Sequence, residues 1–128
     1  MVLTGSDSSC ADHVSADTWT DYTIRLRVKV TVGGFNVNVR KSSVGRYAIT
    51  LQADAESLIF REFPWGNTAE VDFSPTTLST GGWHEIEIAL LGPQITVKID
   101  GTLIMDYTDG VPLTYGDIAF ESFLGATV

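Results

Sequence analysis

The chain has a single cysteine, Cys10, in 128 residues. One thiol cannot close an intrachain disulfide, and zinc sites built on cysteine need several thiolates at fixed spacing, so both are excluded. Histidine is nearly as scarce. His13 and His84 have neither the i,i+2 nor the i,i+4 spacing of a shared metal, and no Gly-x-Ser-x-Gly elbow marks a nucleophilic serine. No apolar run approaches the ~20 residues of a membrane-spanning helix, so membrane insertion is not expected. No basic stretch followed by an apolar one opens the chain, so no signal peptide is legible; Met1 running into Val2-Leu3-Thr4-Gly5 reads as the start of an excised domain. Positive charge is also short. Eight Lys and Arg against 16 Asp and Glu leave a net charge of −8. A surface that acidic repels phosphate backbones, which removes nucleic acid and disfavours anionic membranes.

What the chain does have is alternation. With 44% hydrophobic and 19% charged residues it can bury a core, and 128 residues suffice for one domain, residues 1–128, without covalent staples. The clearest stretch is residues 83–101, WHEIEIALLGPQITVKIDG. Ile86, Ile88 and Leu90 fall on one side of the first half, and Glu85 and Glu87 on the other. In the second half Ile95, Val97 and Ile99 alternate with Gln94, Thr96 and Lys98. A period of two with one apolar side predicts a hairpin of half-covered antiparallel strands over 83–90 and 94–100. Further alternating or β-branched segments predict strands at 22–30, 35–40, 46–52, 58–63, 103–107 and 117–123, with a short one around Val71 and Phe73. No segment carries a helical apolar stripe. About ten strands without a helix predict an all-β fold of two packed antiparallel sheets.

The order of these pieces resembles the concanavalin A-like jelly-roll superfamily, and within it laminin G-like modules and related bacterial glycan-binding or glycoside-hydrolase-associated domains. The residues that carry the resemblance are Leu3-Thr4-Gly5, Trp19-Thr20-Asp21-Tyr22, Val39-Arg40, Arg46-Tyr47, Trp83-His84-Glu85-Ile86-Glu87-Ile88, Val97-Lys98-Ile99-Asp100-Gly101 and Gly116-Asp117-Ile118-Ala119-Phe120-Glu121. The resemblance implies a jelly-roll sandwich, a sugar as partner, and an extracellular or cell-surface location in the parent protein; it implies an architecture far more than a ligand. Such modules continue after the Ala-Phe-Glu strand into one more strand beside the N-terminal one. This sequence ends at Val128, so the resemblance implies a jelly roll lacking its last C-terminal strand, with an open edge suited to self-association.

Three kinds of chemistry are then weighed. Glu85-Ile86-Glu87 resembles the carboxylate run of retaining β-glucanases of this fold, but its third position is Ala89. The acid that must protonate a leaving group is therefore missing, and the two glutamates read as a solvated strand face. No organic cofactor is expected. Calcium stays open, because it takes oxygen ligands from loops and Asp106, Asp109 and Asp117 lie in or beside one loop, with Asp54 and Glu56 in another. Sugar binding has the fuller set. A pyranose needs an aromatic plane for its apolar side and planar hydrogen-bonding groups for its hydroxyls. Asn36, Asn38 and Arg40 alternate along one strand, Arg46 and Tyr47 begin the next, Arg61 lies on the third, and Trp65 stands in a loop between Pro64 and Gly66. Trp19 and Trp83 adjoin strands and are assigned to the core. The expected function is non-catalytic carbohydrate binding through Asn36, Asn38, Arg40, Arg46, Tyr47, Arg61 and Trp65. The alternatives are a structural or protein-interaction module completed by strand exchange and, further off, a glycan-active hydrolase.

Overall fold

The computed structural model describes residues 9–13, 19–53 and 55–123, with residues 9–13 and Phe123 described by their backbone alone. The described residues form ten strands and no helix: β1 (Ser9–His13), β2 (Tyr22–Lys29), β3 (Gly34–Lys41), β4 (Arg46–Gln52), β5 (Ser57–Glu62), β6 (Thr68–Ser74), β7 (Trp83–Leu91), β8 (Gln94–Ile99), β9 (Thr102–Thr108) and β10 (Asp117–Phe123). Six make one antiparallel sheet in the order β1-β10-β3-β4-β5-β6, and four make the other in the order β2-β7-β8-β9. The all-β two-sheet sandwich expected from the sequence is the architecture found. Leu3-Thr4-Gly5, the side chains of Cys10 and His13, Asp54, and the chain end on which the expected lack of a last strand bears lie outside the described residues.

The hairpin has the register its alternation dictates. β7 pairs with β8 through Ile88↔Val97 and Leu90↔Ile95, and Ile86, Ile88, Ile95, Val97 and Ile99 are buried while Glu85 stays in solvent. The opposing sheet contributes Phe35, Val37 and Val39 from β3, Tyr47, Ile49 and Leu51 from β4, and Ile59 from β5 to the same core. Burying each such side chain contributes about 1.5–3 kcal/mol, and the interleaving of two inner faces is what holds the sheets together.

Two expectations about large side chains fail. Trp83 is 61% exposed and Trp19 is 42% exposed, so neither belongs to the core. For Trp83 the cause is parity. It lies two residues before Glu85 and four before Glu87, hence on the wet face, and its size does not override the pleat. Trp19 precedes β2 and tilts against Tyr22, with ring centroids 5.9 Å apart.

Candidate functional site

The outer face of the six-stranded sheet follows from the same period of two. β3 and β4 register Asn36 with Thr50 and Asn38 with Ala48. β4 and β5 register Arg46 with Glu62, Ala48 with Phe60 and Thr50 with Leu58, while β10 brings Glu121 beside Asn36. Asn36, Arg46, Thr50 and Glu62 border a shallow depression of about 370 Å³, with Leu58, Phe60 and Ala48 as its apolar floor and Thr68 at its margin.

Arg46 is the centre of this face. Its Nε donates to Glu62 Oε1 at 3.0 Å, and its Nη1 to Asn38 Oδ1 at 2.8 Å and Glu121 Oε2 at 3.0 Å. Asn36 Nδ2 donates to the same Glu121 oxygen at 3.1 Å and accepts at Oδ1 from Thr50 at 2.7 Å. Burial raises the Glu121 carboxyl, but the amides of Asn36 and Asn38 and the Arg46 guanidinium outweigh it and hold the group below the usual carboxylate range. Asn38 Nδ2 favours that charge by proximity, yet it has no partner within hydrogen-bonding geometry. The turn after β5 completes the arrangement. Gly66 N donates to Glu62 Oε2 at 2.9 Å and Trp65 Nε1 to Ser42 O at 3.0 Å, which fixes the 41%-exposed indole with the Arg46 guanidinium 5.5 Å from its ring centroid. That distance is within cation–π range.

Of the seven residues expected to form a ligand face, the structure brings four together: Asn36, Asn38, Arg46 and Trp65. Asn38 is fully covered, beneath Arg46. The other three are placed elsewhere. Tyr47 cannot share a face with its neighbour Arg46, and it is buried in the core; burial first and the Asp109 carboxylate second push its phenol up to about 12. Arg61 has the parity of Ile59 and lies at the sandwich margin, donating to Asp109 Oδ2 at 2.8 Å and Val111 O at 2.9 Å.

Arg40 is the sharpest correction. Alternation sends it outward, but at φ 48° the backbone adopts a left-handed conformation where the β3–β10 register slips, and the side chain turns inward to 1% exposure. There its guanidinium donates to Thr20 O, Gly92 O and Leu113 O at 2.7–3.0 Å and to Asp21 Oδ1 at 3.3 Å. It is a brace, out of reach of a ligand. Gly116 passes against this bulge so closely that a Cβ would collide with the backbone of Arg40 and Lys41.

The calcium candidates do not converge. Asp109 accepts from Tyr47, Arg61 and the Val111 amide, and Asp106 accepts from Gln94. Among the described residues no three His, Cys, Asp or Glu side chains gather as a metal site. Glu62 and Glu121 were absent from the sequence-based set; strand pairing brings them in, Glu62 opposite Arg46 and Glu121 opposite Asn36.

A second polar constellation lies at the start of β7. His84 Nδ1 is 2.7 Å from Asp100 Oδ2, and His84 Nε2 is 3.0 Å from both Ser79 Oγ and Ser79 O. The order Ser-His-Asp suggests nucleophilic catalysis, but a carbonyl only accepts, so Nε2 carries a proton and cannot take one from the hydroxyl. The hydrogen bond to Asp100 is the main cause that raises the imidazole above its ordinary 6.5. The Glu85 amide, then His84, lowers Asp100 below its ordinary 3.8. Because His84 is raised, its share of stability is complete below pH 6.5 and fades as pH climbs through the higher folded value. The melting-temperature gap between parent and His84→Ala should therefore be widest between about pH 5 and 6.5 and close toward pH 9; a gap that widens with pH would refute the imidazolium assignment.

No protein-family model and no curated protein sequence matches the chain. Solved structures do. The carbohydrate binding module CBM66 from Bacillus subtilis superposes with a TM-score of 0.82 at 15% identity, over 99% of this chain and 81% of its own. The fold is the jelly-roll sandwich of these structures. Galectin LEC-6 from Caenorhabditis elegans superposes at 0.72 with 15% identity, over 99% of this chain and 91% of its own. A Bacillus licheniformis β-glucanase follows at 0.59 with 13% identity, over 86% and 55%. Identities this low speak to the jelly roll alone, which hosts binding proteins and enzymes alike.

Proposed function

We infer that this jelly roll binds carbohydrate on the outer face of its six-stranded sheet, with a sugar ring over Arg46 and Trp65 at the rim. The observation that carries the reading is the state of Arg46. Three partners fix its guanidinium beside an exposed indole, while its Nη2 donates to no atom of the described residues. A donor held in place before binding costs little ordering, and the indole plane supplies the apolar contact that a pyranose face needs. The likeness to a carbohydrate binding module and to galectins agrees with this role. A secreted or cell-surface bacterial protein is the parent that such a module suits.

The glycosidase reading is weaker. Glu62 accepts with both carboxylate oxygens and Glu121 is held ionised, so neither is poised to protonate a leaving group. The interaction-module reading has one observation behind it: β6 ends the six-stranded sheet with most of its side chains exposed, an edge that another chain can extend. Light scattering decides this, since a strand-completed assembly is not monomeric.

The test of the leading reading is a glycan and polysaccharide screen followed by calorimetry. Arg46→Ala should weaken the best ligand by about tenfold to a hundredfold, the loss of one or two charged hydrogen bonds. Trp65→Ala should cost somewhat less, chiefly contact area. Parent-like affinity in both variants, with the fold intact, would place the site elsewhere.

A further inference from the structure

Four of the eight basic residues lie on the outer face of the other sheet: Arg25, Arg27 and Lys29 along β2 and Lys98 on β8. Of the remaining four, Arg40 is buried and Arg46 and Arg61 are ion-paired. In a chain of net charge −8, this face is thus where accessible positive charge gathers. Its central carboxylates are two, Glu85 and Glu87. Glu87 takes Arg25 at 3.0 Å and Lys98 at 3.9 Å. The acids at its margins are engaged, Asp100 by His84 and Asp106 by Gln94.

Among the described residues, two cations are left without a carboxylate. Arg27 stands opposite Glu85 in the register, yet its guanidinium lies over the ring of Trp83, 5.3 Å from the centroid, and forms no ion pair with a described residue. Lys29, exposed and opposite Trp83, forms none with them either. Beside them is a depression of about 340 Å³ lined by Arg25, Arg27, Glu85, Glu87 and Lys98. Alternate residues of a strand are about 6.6 Å apart, so Arg25, Arg27 and Lys29 make a straight row of charge. A linear polyanion meets such a row repeatedly, and a small anion only once. Trp83, 61% exposed at the end of the row, adds a flat apolar plate, which a sugar ring uses and a bare acidic side chain does not.

We propose that the β2–β7–β8 face is a second binding surface, for a linear polysaccharide bearing an anionic group on its repeating sugars. It is independent of the Arg46 face, which lies on the opposite sheet. The shared chemistry is a sugar-borne anion; carboxylate and sulfate are its two sources.

Affinity electrophoresis through gels holding polygalacturonate, dextran sulfate, polyglutamate or plain dextran tests this on the intact chain. One or both acidic glycans should retard the parent beyond plain dextran, and added salt should abolish the retardation. Arg27→Ala with Lys29→Ala should weaken binding by about tenfold or more, and Trp83→Ala should weaken it as well. In the Arg46→Ala background the loss caused by Arg27→Ala with Lys29→Ala should persist, which separates this surface from the first. Glu87→Gln should strengthen binding by removing a competing charge. All five positions are exposed or partly exposed, and circular dichroism checks that each variant folds. Retardation no greater than in plain dextran overturns the proposal. So does equal binding to polyglutamate that ignores Trp83→Ala, which would mark an acidic protein as the occupant. A parent dimer that Arg27→Ala with Lys29→Ala makes monomeric also overturns it, because a second copy would then own the face.

Discussion

Arg40→Ala should lower the unfolding free energy by roughly 3–5 kcal/mol, the range for stripping a buried charged group from its partners. The guanidinium is 1% exposed and its bonds end on three backbone carbonyls from three separate loops, with Asp21 as a fourth partner. Without it the carbonyl of Leu113 stays buried with that donor gone, and the space the side chain filled becomes a cavity. Arg40→Lys should recover little, since one ammonium cannot reproduce a planar fork of five donors. Urea unfolding provides the measurement. The midpoint should fall with the slope unchanged, and a midpoint equal to the parent's would mean that water substitutes freely for the brace.

Val97→Asp should abolish the folded state. Val97 is fully buried at the centre of β8, registered with Ile88 on one side and Met105 on the other. A carboxylate there has no partner, and its several kcal/mol of desolvation are comparable with the whole stability of a small domain, about 5–15 kcal/mol. The neighbouring Thr96→Asp reverses parity and, even opposite Asp106, should cost no more than ~1 kcal/mol. Near-ultraviolet circular dichroism of the pair tells the two faces apart. A folded Val97→Asp beside an unfolded Thr96→Asp would invert the register.

These contrasts show what sequence can and cannot carry. A period of two is local, so the residues of β7 and β8 sort themselves into faces from the sequence alone, and so do those of β4. Applied consistently, the same rule separates Arg46 from Tyr47 and puts Trp83 in solvent; the errors there came from weighing residue type above parity. Arg40 differs in kind. Its inward turn depends on one left-handed residue in a bulge against β10, whose nearest strand residue is 77 positions further along, and nothing local announces it. The polar face was half legible for the same reason. Asn36, Asn38, Arg46 and Trp65 are close in sequence, whereas Glu121 joins them only through the pairing of β10 with β3.

The separations spanned by the Arg40 brace also govern how the molecule comes apart in time. Its partners Thr20, Gly92 and Leu113 are 20, 52 and 73 residues away along the chain. All three meet at one guanidinium only after both sheets have closed, so these bonds are expected to form late in assembly, after the rate-limiting barrier. Interactions absent at the barrier slow escape from the native state and leave the approach to it untouched. The brace is then a determinant of lifetime: Arg40→Ala should steepen nothing in the refolding arm of a chevron plot and raise the unfolding arm, shortening the time for which the sandwich persists once folded.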